Sequence, residues 1–481
     1  MERYRKANED IRAPEGLKRA AAAPGPARRR SRWMGVTAAA LALVVLGGLL
    51  LWPGSPLAPT ARAAIAEAQY PELPAYPGGG NWSASYEKRY DAWFDALQTQ
   101  KAALRTLRPD GDGLAEFYAD TMRQFLSGGG TENKVYSPLN VYMALAMLAE
   151  VTDGDSRGQI LNLLGVDGVE ELRALSSALW NANYRADSTT TSILASSLWL
   201  DEGLTYDQTT LDRLAEVYYA SSFAGKMGSA EFTKVLQSWL DQQTGGLLKE
   251  AAQGVELSPE TVLALATTLY YKVRWADEFR QDRNTTDVFH GPEGDVTAVY
   301  MCQSGVGTYY YGEKFTAIRR SFKVGGSMWF ILPDEGYTPE DLLNDPEAMA
   351  FLSDAATRSG WEKTKRLIIH QSIPKFDVTA EADLMAGLKA LGVTDVFDAQ
   401  RADFTPALPG AEGVAVSQVS HAARVTIDEE GCTAAAFTVI SMPTAAPAPD
   451  EEVDFTLERP FLFLVESESG QPLFTGVVNQ P

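Results

Sequence analysis

Apolar residues change their spacing three times along the chain. From Trp33 to Trp52 they run almost without interruption, 20 residues of mostly Ala, Leu, Val and Gly with no charge. A stretch of that length and polarity crosses a hydrocarbon core as one helix. Further on they recur at helical spacing. Tyr86, Tyr90, Trp93, Leu97, Leu104 and Leu107 predict a helix within 81–108, read as packing on the main body, with a partner-binding helix as the alternative. Leu114, Phe117, Tyr118, Met122, Phe125 and Leu126 predict a second. Ser137-Pro138 supplies an N-cap and a first-turn proline for a third over Leu139–Ala149, and Ile160, Leu163 and Leu164 form a fourth closed by Gly165.

Beyond these helices the chain turns to branched and aromatic runs that predict strands: Ile193–Leu200, Thr261–Tyr271, Val296–Met301, Phe315–Arg320, Ser327–Leu332 and Leu367–Ile373. The end of the chain adds Arg424–Ile427, Asp454–Leu457, Phe461–Val465 and Leu473–Val478. Helices early and strands late predict an α+β class.

Charge gives the amino-terminal run a direction. The 481 residues carry a net charge of -21, from 42 basic and 63 acidic side chains. Residues 1–32 hold ten Lys/Arg against four Asp/Glu, which leaves 32 basic and 59 acidic residues, a net of -27, on the remainder. Arg28, Arg29, Arg30 and Arg32 stand directly before the apolar run, and the next charge is Arg62. The positive-inside rule therefore predicts a cytoplasmic head (1–32), a single membrane-crossing helix (33–52) and an extracellular remainder. A cleaved signal peptide is the alternative, since Ala61-Arg62-Ala63 has the small-x-small form, although far beyond the apolar run. Residues 53–80, rich in Pro, Gly and Ala and ending in Pro77-Gly78-Gly79-Gly80, read as a linker lifting the body off the membrane.

Composition narrows the chemistry. An acidic body argues against nucleic acid as a partner. With 45% hydrophobic and 22% charged residues the chain has a packed core. Its two cysteines (Cys302, Cys432) and three histidines (His290, His370, His421) share no metal-ligand spacing, so neither structural zinc nor a disulfide scaffold is expected, and no cofactor. There is no Gly-x-Ser-x-Gly elbow, phosphate loop, HExxH or dinucleotide fingerprint, and the expectation is a protein that is not an enzyme.

One connection stands out. About 25 residues separate the runs Arg424–Ile427 and Asp454–Leu457, long for a structureless link inside a compact domain. Its first half, Glu429-Glu430-Gly431-Cys432-Thr433-Ala434-Ala435-Ala436-Phe437-Thr438-Val439-Ile440, is rich in small residues and ends in residues suited to a strand. Its second half, Ser441-Met442-Pro443-Thr444-Ala445-Ala446-Pro447-Ala448-Pro449, is studded with prolines and hence exposed to proteases.

Here the chain resembles the serpin family, over roughly residues 112–481. Glu429-Glu430-Gly431, a small residue, and Ala434-Ala435-Ala436 resemble the hinge of that family's reactive-centre loop. Glu458-Arg459-Pro460-Phe461-Leu462-Phe463-Leu464 resembles its carboxy-terminal signature. Asn133-x-x-x-Ser137-Pro138-Leu139 with Gln159-Ile160 and Leu164-Gly165 resembles the early helical motif, and Tyr270-Tyr271-Lys272-x-x-Trp275-x-x-x-Phe279 the central-strand motif. Ile373-Pro374-Lys375-Phe376, Leu388-x-x-Leu391-Gly392 and Ala402-Asp403-Phe404-Thr405 are lesser echoes in the same order.

The resemblance implies a large central β-sheet with two further sheets, an exposed loop near the carboxy terminus, and a monomer, here a membrane-anchored member of bacterial type. It also implies a mechanism. A serine or cysteine protease attacks the loop, forms an acyl-enzyme, and is trapped when the freed half of the loop inserts into the main sheet. Gly431–Met442 holds neither proline nor charge, and Cys432, Ala434, Ala436 and Thr438 form its small inward-facing set, which favours an inhibitor over a non-inhibitory binding protein. By the family's loop register the scissile bond is Ala445–Ala446, with Met442 and Thr444 as alternatives on the acyl side. Ala there suits an elastase-like or subtilisin-like serine protease with a small specificity pocket, and the lack of Arg or Lys between Gly431 and Pro449 disfavours a trypsin-like one.

The resemblance also assigns a polar cluster that holds the sheet shut. Ser137 and His421 match it, while Asn140 replaces a usual serine and Thr267 a usual asparagine. Trp275 matches the tryptophan where the loop first enters. Glu458 stands where Asp is more usual. Cys432 replaces a usual Thr or Ser, read as a small buried residue or, alternatively, as a redox switch able to bond Cys302.

Overall fold

The computed structural model describes residues 64–77, 83–107, 114–187, 190–246, 249–432, 449 and 451–481. Among them no helix is long and apolar enough to cross a membrane. The 24-residue helix Ala84–Leu107 carries seven charged side chains, and the wholly buried helix Pro138–Glu150 has only 13 residues, short of the roughly 20 that a bilayer requires. The expected single-pass localisation is corrected accordingly. The run 33–52 on which it rested lies outside the described residues, as does the basic head.

Helices dominate the first half. α1 (Ala84–Leu107) is followed by α2 (Leu114–Leu126), α3 (Pro138–Glu150), α4 (Gly154–Leu164), α5 (Val169–Asn183), α6 (Gln208–Val217) and α7 (Ala230–Gln243). Ser137 caps α3, its Oγ accepting the Asn140 N–H at 3.3 Å, with Pro138 in the first turn. Gly165 ends α4 at φ 67°, the left-handed conformation that costs a glycine nothing. Every residue of α3 is buried, and it touches strands of both sheets described below. α5 to α7 add to the helices expected above, and their buried residues keep the same spacing, Phe232, Leu236, Trp239 and Leu240 in α7.

Strands are numbered β1 to β17 along the chain. The first sheet holds β1 (Ala64–Ala66), β3 (Arg185–Ala186), β4 (Thr190–Asp201), β5 (Ala220–Gly225), β6 (Leu263–Arg274), β12 (Phe376–Asp383), β13 (Val416–Ile427) and β14 (Gly431–Cys432). Their order is β1-β5-β4-β6-β14-β13-β12, with β3 on β4. Its centre is unusual. β6 and β13 are parallel neighbours, paired directly from Val416↔Leu263 to Ala422↔Thr268, and beyond that point the two-residue β14 lies between them, antiparallel to both.

The second sheet holds β2 (Lys134–Tyr136), β7 (Thr285–Gly291), β8 (Gly294–Tyr311), β9 (Phe315–Ser321), β10 (Ser327–Pro333), β11 (Thr364–Pro374), β15 (Glu452–Thr456), β16 (Phe461–Glu466) and β17 (Pro472–Val478). Two further sheets were expected. The described strands join into one path, β15-β11-β8-β9-β10-β16-β17-β2, because the 18-residue β8 pairs with β11 along most of its length and with β9 at its end. The spacing of apolar residues could not show this. After Met301, β8 continues through Gln303, Ser304, Gly305 and Gly307, held by its backbone ladder and not by burial.

Residues 64–77 are not a free spacer, which corrects the linker reading for that stretch. Ala64 and Ala66 pair with Phe223 and Ser222 on the edge strand β5. The Ala68 N–H donates to Ser221 Oγ at 3.2 Å. The Tyr70 ring sits 5.2 Å from Trp180 and 5.6 Å from Tyr184, and Tyr76 meets Trp93 of α1 edge-on at 4.9 Å. α1 lies along α5, with Trp93 Nε1 donating to Asp187 at 3.2 Å. Each such aromatic pair adds about 0.5–1.5 kcal/mol beyond its buried area.

Candidate functional site

The chain leaves β13 at Ile427 and reverses within four residues. The Asp428 side chain closes the turn, accepting the N–H groups of Glu430 and Gly431 at 2.9 and 3.1 Å, while the Asp428 N–H donates to Gly431 O. Gly431 and Cys432 then enter the sheet, opposite Arg274 and Val273 of β6, with Cys432 also opposite Ile427 of β13. The entrance admits no side chain at its first position. A Cβ on Gly431 would lie 2.2 Å from Val273 O and 2.7 Å from Arg274 Cα.

The hinge is tied down from several sides. Trp275 N–H donates to Glu430 O, Phe279 N–H to Glu429 O, and Trp275 Nε1 to Asp428 O, all at 2.9–3.0 Å. Lys375 Nζ lies 2.6 Å from Glu429 Oε1, which also accepts from Asn284 Nδ2 at 2.5 Å. Burial alone would raise the Glu429 carboxyl, but Lys375 and Asn284 hold it below its ordinary range. Arg274 reaches Glu430 at 3.4 Å. Trp275 itself is fixed by stacking on Phe322 at 5.2 Å, and the buried Arg320 guanidinium lies 3.8 Å from the Phe279 ring centroid and 5.3 Å from that of Trp275.

Where β6 and β13 still pair directly, polar side chains gather beneath them. His421 and Thr267 are register partners. The Ser137 N–H, at the start of α3, donates to His421 Nε2 at 3.1 Å, which leaves the ring proton on Nδ1. Asn140 lies one turn further along α3. All four residues are buried, and His421 Nδ1, Thr267 Oγ1 and both amide atoms of Asn140 have no hydrogen-bond partner. Burial lowers the His421 pKa to about 4, so the ring is neutral near pH 7. The site residues Ser137, Asn140, Thr267 and His421 are thus brought to one place, and Trp275, Glu429, Glu430, Gly431 and Cys432 to another, higher between the same two strands.

Both cysteines are free. Cys302 stands in the second sheet, 3.4 Å from Thr285 Oγ1 and opposite Ser372, whereas Cys432 is buried in the first. The disulfide considered between them is not formed. Burial first, and Asp428 second, push the Cys432 thiol up to about 12. Thr433, Ala434, Ala435 and Ala436, the reactive bond Ala445–Ala446, and the alternatives Met442 and Thr444 lie outside the described residues. Sequence reasoning missed Asn284, Lys375 and Arg274 as hinge anchors. Only Lys375 carried a signal, inside Ile373-Pro374-Lys375-Phe376. Among the described residues no three His, Cys, Asp or Glu side chains gather as a metal-ligand set.

The body is α+β, and after β13 the chain folds back between two parallel central strands for two described residues. The chain belongs to the serpin family: the family profile described as Serpin (serine protease inhibitor) matches residues 112–481. Serpin-Z1C of Triticum aestivum is 30% identical over 366 residues, 73% of this chain and 90% of that protein. Alpha-1-antiproteinase of Rattus norvegicus is 28% identical over 405 residues, 80% of this chain and 93% of that protein. In structure the chain resembles the native state of the thermophilic serpin Tengpin, with a TM-score of 0.68 at 23% identity, covering 77% of this chain and 93% of that one. The similar proteins also include an archaeal one, from Thermococcus kodakarensis, and these relatives do not show the bacterial origin expected from the sequence.

Proposed function

We propose that this chain is a suicide-substrate inhibitor of serine proteases, acting by insertion of its cleaved loop between β6 and β13. The observation that carries the reading is the docked hinge and its register. Extended one residue at a time on insertion, the register of Gly431↔Arg274 and Cys432↔Val273 would bring Met442 opposite Leu263. Leu263 is the first residue of the 12-residue β6, and Gly431–Met442 is also 12 residues. The prolines begin at Pro443, just where a strand in this slot would run out of partner.

In this mechanism the protease serine attacks the Ala445 carbonyl carbon, the peptide bond to Ala446 breaks, and the Ala446 amine leaves. Met442 and Thr444 remain the alternative acyl-side residues. The ester-bound loop then zips from Cys432 downward, displacing the parallel pairing of β6 and β13 with two antiparallel ladders. About ten net hydrogen bonds at roughly 0.5–1.5 kcal/mol each give a drive on the order of 10 kcal/mol. That is comparable to the stability of an ordinary domain and enough to distort an attached enzyme. Ala at the acyl position fits a protease with a small specificity pocket, elastase-like or subtilisin-like. The inhibitor acts as a monomer.

The test mixes the full chain with an elastase-like protease and resolves the products on a denaturing gel. The expected result is a covalent band at the summed mass with release of the carboxy-terminal fragment, whose first residue identifies the bond. Cleavage with neither a covalent band nor a gain in thermal stability would replace the reading with a non-inhibitory serpin-fold binding protein.

A further inference from the structure

A small cavity lies under the same end of the first sheet as the hinge, walled by α1, the end of α5, β3, β4 and the turn before β17. Its volume is about 20 Å³, room for one water-sized particle and too little for sulfate or phosphate. Lys101, Arg185, Thr190 and Ser192 line it and are all more than nine-tenths buried. Arg185 Nη1, Thr190 Oγ1 and Ser192 Oγ have no hydrogen-bond partner among protein atoms.

These groups are mostly donors. Lys101 Nζ is 2.5 Å from Glu468 Oε1, which engages at most one of its three N–H bonds. Arg185 Nη2 donates to Glu468 Oε2 at 3.4 Å, while its Nη1 is 3.8 Å from Asp187, beyond hydrogen-bond reach. Asp187 already accepts from Trp93 Nε1 and the Thr190 N–H. Glu468 keeps 37% of its side chain in solvent, so its charge is shared with water. Burial lowers the pKa of both Lys101 and Arg185, while Glu468 and Asp187 pull the other way.

We propose that this cavity is a binding site for a single halide-class anion, held by Lys101, Arg185, Thr190 and Ser192. A water molecule offers two lone pairs, whereas a halide can accept from every N–H and O–H that reaches it. The ion joins α1 to β3 and β4. Ser192 is the register partner of Tyr271, which lies beside Cys432. An occupied site therefore braces β4 and β6 at the mouth of the insertion slot. The binding claim does not depend on the protein being an inhibitor.

Crystals of the full chain soaked in bromide test the site directly, and an anomalous peak between Lys101 Nζ and Ser192 Oγ is expected. In solution, replacing gluconate with bromide at constant ionic strength should raise Tm in a saturable way. Ser192→Ala should raise the half-saturating bromide concentration about tenfold, for one lost hydrogen bond to a charged group. Lys101→Met should abolish the halide response, and if it fails to fold the Ser192→Ala titration and the anomalous map still decide. Density without anomalous signal, together with a Tm indifferent to which anion is present, would identify the occupant as water and overturn the proposal.

Discussion

Thr438→Val is the sharpest probe of loop insertion. In the register of β14, Thr438 arrives between Thr267 and His421, on the face those side chains share. Its hydroxyl reaches a place where the His421 Nδ1–H and Thr267 Oγ1 are buried and unpartnered. It can accept from the imidazole and donate to the threonine oxygen. Valine keeps the shape and removes the hydroxyl, so the inserted state loses about 1–3 kcal/mol while the loop-expelled state is untouched. Against a drive on the order of 10 kcal/mol, insertion still completes. If half the loss is felt in the transition state, insertion slows by about 2- to 12-fold relative to deacylation. The assay is the fraction of inhibitor consumed as cleaved product per covalent complex, with thermal unfolding of the cleaved form. Thr438→Val should raise the first and lower the second, and Thr438→Ser should restore both. A cleaved Thr438→Val protein as stable as the parent, or a serine variant as impaired as valine, would refute the reasoning.

Other outcomes follow from the geometry around this slot. His421 has its folded pKa near 4, below the ordinary 6.5, so its contribution is intact above pH 6.5 and lost as pH falls through 4. Urea titrations should show up to about 3 kcal/mol of pH-dependent loss that His421→Gln removes. Gly431→Val forces a side chain against Val273 O and Arg274 Cα. It should expel the hinge and make Cys432 reactive to maleimide, at a cost of about 1–3 kcal/mol. Glu150, 1% exposed, accepts from Arg173, Arg213 and Tyr218; Glu150→Leu leaves those donors stranded and should lower urea stability by about 3–5 kcal/mol. Trp93→Ala should free α1 from α5, seen as new cleavage between 83 and 107 in limited proteolysis.

The sequence made the framework of this protein legible where burial and periodicity coincide. α2 follows from apolar residues at helical spacing, and α3 and α4 from the same spacing between a capped start at Ser137 and a left-handed end at Gly165. Most strands were visible as branched runs, but β13 was read only from Arg424, because Val416–Ala423 is small and polar, and its place is set by its ladders to β6 and β12. The candidate site was legible as a list and not as a geometry. That Gly431 and Cys432 already occupy the slot depends on the Asp428 turn and on anchors such as Asn284 and Lys375, distant in sequence and chosen by the fold. Residues 64–77 looked like a spacer because Pro and Ala set their composition, while Ile65 and Tyr70 are few and lack a period. Their partners, on β5 and α5, are more than 100 residues away.

The strand β1 bears on how molecules of this protein keep apart. A sheet edge carries unpaired backbone donors and acceptors, a template for any other extended chain. β5 would be such an edge, six residues from Ala220 to Gly225. The chain's own β1 covers its middle, and Ala68 occupies Ser221 Oγ beside it. Trimming by a protease between β1 and Tyr70 would leave β1 held by little more than its ladder and the Gln208 Nε2 bond to Ile65 O. Its departure would bare β5 to a second molecule. Fibrous or laddered self-association should accompany nicking of 67–70, and a short peptide of the β1 sequence should suppress it.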